Sequence, residues 1–203
     1  MNLVISLILM FSSLVHQPEV DSKTIIFYGD SITAGYGVGI EFAFPHIIEA
    51  QLDENGFDAE VINAGLSGET SAGGLTRIDW ILNRQFDVFV LELGANDGLR
   101  GLPVEETKKN LQAIIDKVRS KYPKTQIILA GMMVPPNMGP EYANSFEGLY
   151  PKLAKDNDVE LIPFLLKDVA GIEELNQPDG IHPNIEGHQI IAKNLYPIFK
   201  NLF

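Results

Sequence analysis

Cysteine is absent from all 203 residues. That removes disulfides, thiolate chemistry and cysteine-based zinc sites together, and leaves every compartment open. Basic residues are scarce: 15 Lys and Arg stand against 27 Asp and Glu, a formal net charge of −12. Nucleic acid and anionic membranes both reward positive surface, so neither is an expected partner. No run of like charge stands out, and the acidity reads as solvated faces. Long apolar runs are missing as well. Leu3 to Val15, within "MNLVISLILMFSSLV", is apolar apart from serines but falls short of the about 20 residues of a membrane span. It fits the apolar core of a secretory signal peptide, so residues 1–20 are expected to be an export signal and the protein periplasmic or secreted. No Lys or Arg precedes Lys23 and no A-x-A-like cleavage site follows, which leaves an uncleaved N-terminal anchor, or a helix packed on the domain, as the other reading.

The chain also lacks a linker, an internal repeat and any low-complexity tract. With 45% hydrophobic and 21% charged residues, 22–203 reads as one domain with a sizeable core. Five apolar runs punctuate it: "TIIFYG" (24–29), "AEVINAG" (59–65), "VFVLELG" (88–94), "QIILAGM" (126–132) and "VELIPF" (159–164). Most are continuous rather than alternating, as strands buried on both faces of a parallel sheet are. Helical patterns lie between them, most clearly over 103–122, where Leu111, Ile114, Ile115, Val118 and Tyr122 make one stripe. Pro103 suits a first helical position, Glu105 and Glu106 suit the positive helix end, and Pro123 is a stop. Further helices are expected near 43–55, 70–83, 140–156 and 184–196, the last bending or ending at Pro197. Strand and helix in alternation predict a three-layer α/β/α sandwich on a five-stranded parallel sheet. Its C-terminal strand ends, with their loops, then meet along one edge.

Those loops hold the unusual residues. Gly29-Asp30-Ser31-Ile32-Thr33 follows the first strand, "NAGLSGET" (63–70) the second and "GANDGLRG" (94–101) the third, while "PDGIHPN" (178–184) opens the last helix. An ordinary strand-to-helix turn needs a glycine and a cap, so the polar surplus at 30–33 calls for a reason. Acyl transfer supplies one. A serine hydroxyl is a weak nucleophile until a histidine takes its proton, and the histidine needs a carboxylate to fix its tautomer. Asp179 and His182, three apart in a turn, can supply both without long-range help. Donors for a tetrahedral oxyanion are at hand in the Gly65 N–H, the Asn96 amide and the Ser31 N–H at a helix start.

In these four blocks the chain resembles the SGNH, or GDSL-type, hydrolases. Ser31 in "GDSIT", Gly65 in "NAGLSGET", Asn96 in "GAND" and His182 in "DGIHPN" match in order and span nearly the whole of 22–203. "GDSITAGYGV" and "LELGANDGLRG" look closest to the branch of thioesterases, lysophospholipases and arylesterases. The resemblance implies a flavodoxin-like strand order 2-1-3-4-5. It implies Ser31 as nucleophile, His182 as base, Asp179 as its orienter, and Ser31, Gly65 and Asn96 as the oxyanion hole. It implies no metal and no organic cofactor, and a small acyl ester as the partner. The expected function is a serine esterase working through an acyl-Ser31 intermediate, on oxygen esters, thioesters or lysophospholipids. Activity should peak at or above neutral pH, where His182 is unprotonated.

Other readings stand beside these. Ser31 could be a helix cap alone, and Ser67 and Ser71 read as loop or cap residues. Asp30 reads as a brace for its turn and Thr33 as packing or capping. No G-x-S-x-G surrounds any serine. His16, His46 and His188 lack a nearby aspartate and read as surface or packing residues. Glu92 inside a strand needs a partner the sequence does not name. "GLRGLP" (98–103) and "MMVPPNMGPEY" (132–142) either wall an acyl pocket or are plain surface loops. A carbohydrate acetylesterase of the same fold would need a polar pocket, which these apolar loops disfavour. A phosphate-binding module would place Asp30 against its own ligand, and no P-loop or G-x-G-x-x-G stands at the turn.

Overall fold

A computed structural model describes residues 22–203, and the apolar segment read as an export signal lies outside them. The five runs become strands β1 (Lys23–Gly29), β2 (Ala59–Asn63), β3 (Val88–Glu92), β4 (Gln126–Ala130) and β5 (Glu160–Ile162). Every pairing is parallel, in the order β2-β1-β3-β4-β5. This is the expected flavodoxin-like sheet. β3, central and covered on both faces, is buried at every residue, and Val88–Leu91 are accordingly all apolar, with only Glu92 at its end charged. The later runs overshoot their strands because residues past the ladder, such as Leu93 and Met132, still point into the core.

Among the described residues seven α-helices surround the sheet: α1 (Ser31–Ala34), α2 (Phe44–Glu54), α3 (Ser71–Ile81), α4 (Ala95–Leu99), α5 (Val104–Lys121), α6 (Pro140–Asn157) and α7 (Ile185–Lys200). In α5 the stripe Leu111, Ile114, Ile115 and Val118 is fully buried. Pro103 caps that helix instead of opening it, and Tyr122 closes it with its hydroxyl donating to the Leu82 carbonyl at 2.9 Å. The last helix does not end at Pro197, because α7 runs through it to Lys200. A proline there deletes only the hydrogen bond to Lys193, in the final turn, and buried Phe199 beyond it packs on Phe27 at 5.1 Å between ring centroids. α2 and α7 pack on each other over one face, while α3, α5 and α6 form a row over the other. The chain thus leaves β1 toward one side and β3 toward the other. At that reversal the loops after β1 and β3 diverge and open a crevice, the usual seat of a site in such sheets.

Candidate active site

β1 ends at Gly29, and Asp30 caps α1 by accepting the Ile32 N–H at 3.0 Å. Ser31 is therefore the first helical residue, its position set by a cap and not by its own hydroxyl. The turn is tight because Thr33 and Glu92 crowd the place a Gly29 side chain would take. His182 Nε2 lies 2.9 Å from Ser31 Oγ, and His182 Nδ1 lies 2.7 Å from Asp179 Oδ2. Asp179 Oδ1 accepts the N–H groups of Ile181 (2.9 Å) and His182 (3.0 Å), so one carboxylate holds both the ring and its backbone. Although desolvation works the other way, the His182 N–H and ring and the Ile181 N–H bring the Asp179 carboxyl down to about 2. It is ionised beside the imidazole at any working pH.

The loop carrying these two residues is pinned from both sides. Gln177 N–H donates to the His182 carbonyl at 2.8 Å, and Gln177 Nε2 reaches the carbonyls of Tyr36 and Pro183. Asn184 caps α7 through the Gly187 N–H at 3.0 Å. The Tyr36 ring packs against the imidazole at 4.7 Å.

Beneath Ser31 lies a buried acid pair. Glu92 Oε2 accepts the Asp30 N–H at 3.1 Å and the Thr33 hydroxyl at 2.7 Å, which supplies the partners the sequence withheld. Burial pushes both the Asp30 and the Glu92 carboxyl up, and for Glu92 the Asp30 charge adds to it. Glu92 is driven well above the usual carboxylate range.

Gly65 and Asn96 flank the same turn. A Cβ on Gly65 would meet the Ala34 backbone, so only glycine lets this loop approach α1 so closely. The Gly65 N–H donates to Asn63 Oδ1 at 3.0 Å, and Asn63 Nδ2 to the Thr33 carbonyl at 2.7 Å. Asn96 Nδ2 donates to Asp30 Oδ2 (3.2 Å) and to the Glu69 carbonyl (3.1 Å). All five residues singled out in the sequence, Ser31, Gly65, Asn96, Asp179 and His182, thus meet at the edge where β1 and β3 end.

Of the remaining candidates, Ser67 is exposed. Ser71 is buried and donates to Asp97, while Thr70 is the true cap of α3. His188 is buried too. Its Nδ1 accepts the Phe44 N–H at 3.3 Å, and desolvation, helped by His182, lowers it to about 4. Asn63, Glu69 and Arg77 escaped the sequence reading. The spacing of Asn63 and Gly65 in "NAG" is the signature of an Asx turn and could have shown the first. Nothing local shows the other two.

A hydroxyl, an imidazole and a carboxylate in series, at the switch point of a doubly wound sheet, define a hydrolase class that places its serine without a G-x-S-x-G elbow. The sequence pattern of the GDSL-like lipase/acylhydrolase family matches residues 27–190, and the chain belongs to that family, the carboxylic ester hydrolases of the SGNH type. It is 36% identical to esterase TesA of Pseudomonas aeruginosa over 89% of this chain and 90% of that protein. It is 37% identical to thioesterase 1/protease 1/lysophospholipase L1 of Escherichia coli over 87% of this chain and 85% of that one. Among solved structures, the psychrotrophic esterase EstA of Pseudoalteromonas sp., inhibited by monoethylphosphonate, superposes with a TM-score of 0.83 at 34% identity. That match covers 89% of this chain and 98% of EstA.

Proposed function

We propose that the protein hydrolyses acyl esters through a covalent acyl-Ser31 intermediate. The observation that carries this reading is the His182 Nε2 to Ser31 Oγ contact of 2.9 Å, with Nδ1 committed to Asp179. His182 takes the Ser31 proton as Oγ attacks the carbonyl carbon. The carbonyl oxygen becomes an oxyanion, received by the Ser31 N–H, by the Gly65 N–H as it turns from Asn63 Oδ1, and by Asn96 Nδ2 as it releases Asp30 Oδ2 and keeps the Glu69 carbonyl. The imidazolium then protonates the departing alcohol or thiol. A water, deprotonated by His182 in turn, attacks the acyl carbon, and the free acid leaves with Ser31 restored.

A cavity of about 380 Å³ beside Ser31 supports an acyl chain as the held portion. Its walls include Ile32, Leu99, Met132, Phe164 and Ile181, with Pro135 and Pro136 from the segment after β4. An apolar wall fits hydrocarbon, and a sugar hydroxyl there would forfeit its hydrogen bonds. The buried Asp30 carboxyl under the turn argues likewise against a phosphate ligand.

Hydrolysis of p-nitrophenyl esters from acetate to palmitate, with Ser31→Ala alongside, tests the reading. Turnover should extend to chains beyond acetate and should fall at least about a thousandfold in the variant. Undiminished turnover by Ser31→Ala would sink the mechanism, and activity on acetate alone would favour a small-acyl esterase.

A further inference from the structure

Arg77 on α3 belongs to no motif, yet its guanidinium touches both ends of the loop that follows β2. Nε donates to Glu69 Oε1 at 2.9 Å, and Nη2 donates to the Ala64 carbonyl at 2.9 Å and also to Glu69 Oε2. The guanidinium lies over the Tyr28 ring at 4.3 Å, and the Tyr28 hydroxyl is itself fixed on the Gly74 carbonyl at 2.7 Å. The Glu69 side chain is almost fully buried, and that of Arg77 is one quarter exposed. This is a packed, multiply bonded pair, unlike a loose surface bridge.

Two connections lead from that clamp to the site. The carbonyl Arg77 grips, Ala64 C=O, belongs to the same peptide unit as the Gly65 N–H. In a trans peptide these groups point in opposite directions, so a cation fixing the oxygen also aims the N–H and strengthens it as a donor. The second connection runs through Glu69, whose side chain is gripped by Arg77 and whose backbone carbonyl accepts Asn96 Nδ2 at 3.1 Å. One guanidinium therefore stands behind both donors.

We infer that Arg77 is a positioning residue for oxyanion stabilisation, holding the Gly65 N–H through its own peptide and the Asn96 amide through Glu69. The inference rests on the roles given to Gly65 and Asn96 under the proposed function. Arg77 touches no substrate. It sets where two donors stand when negative charge develops on the carbonyl oxygen, and so acts on the transition state more than on the bound ester. A planar fork is needed to hold a carboxylate and a carbonyl at once, and an ammonium cannot reproduce it.

The test compares wild type with Arg77→Lys and Arg77→Gln on one p-nitrophenyl ester. Alongside it runs binding of two acyl-matched ligands: a trifluoromethyl ketone, which forms a tetrahedral adduct with a nucleophilic serine, and the corresponding secondary alcohol, which cannot. Both variants should lose about a hundredfold in kcat with KM and alcohol affinity nearly unchanged, and ketone affinity should fall in step with kcat. Should Arg77→Gln fail to fold, Arg77→Lys carries the test. Full kcat in a folded variant overturns the inference, as does a fall in which alcohol and ketone affinities drop together. Failure of the acyl-enzyme reading looks different: Ser31→Ala would stay active and the wild type would not discriminate ketone from alcohol.

Discussion

Glu92 lies below the Ser31 turn with one oxygen accepting twice and the other, Oε1, without a partner among the described residues. Its carboxyl is raised by burial and by Asp30, so the folded state favours the protonated form. The stability this contributes is present below the ordinary glutamate range and is lost as pH rises through the raised folded value. Glu92→Gln keeps an acceptor for the Asp30 N–H and the Thr33 hydroxyl without titrating. It is expected to be at least as stable as wild type in urea unfolding at pH 8, the difference closing toward pH 4. Glu92→Leu strands both donors and should cost about 2 kcal/mol. A Gln variant that loses as much as the Leu variant at every pH would show that the carboxyl matters in its ionised form. Asp30 answers its own question in the same place. Between a backbone N–H and the Asn96 amide it is a brace for the turn, and Ser31 is left with its hydroxyl free to face His182.

α2 begins without a side-chain cap of its own: Ala43 precedes it, and Phe44 presents a bare N–H. α7 supplies the missing acceptor in His188 Nδ1, whose ring also stacks on Phe44 with only 12° between planes. Two helices are thereby joined through an imidazole that must be neutral to accept. Its folded value of about 4 lies below the ordinary imidazole value, so the stabilisation is complete above the unfolded pKa and is lost as pH falls toward the folded one. Linkage over that window amounts to about 3 kcal/mol. Unfolding free energies between pH 7 and 4.5 should show this loss in wild type and a much flatter profile in His188→Gln, which keeps an acceptor. Equal slopes in the two proteins would assign the acid sensitivity elsewhere. α3 shows the complementary arrangement. Its N-terminus is capped by Thr70 and fastened to Asp97 of α4, so the helix that carries Arg77 is anchored to the one that carries Asn96.

At the scale of the molecule, the parts that sequence reading reached are those written in contiguous residues. Apolar runs marked all five strands, the stripe in α5 marked that helix, and the four polar blocks marked the loops that meet at the end of the sheet. α4 escaped because five residues are too few for a period to register. The partners of Glu92 and the clamp of Arg77 escaped because each joins a side chain to backbone or side-chain groups that only the folded sheet brings near. The proposed function turns on the shared edge, where a serine after β1 and a histidine from the far end of the chain stand 2.9 Å apart. Labelling of the full chain with a p-nitrophenyl alkylphosphonate, followed by intact mass and peptide mapping, tests it most directly. A single phosphonyl group is expected on Ser31, with loss of esterase activity in proportion to its incorporation, and no labelling in Ser31→Ala or His182→Ala. A label on Ser67 or Ser71, or inactivation that leaves Ser31 unmodified, would contradict it.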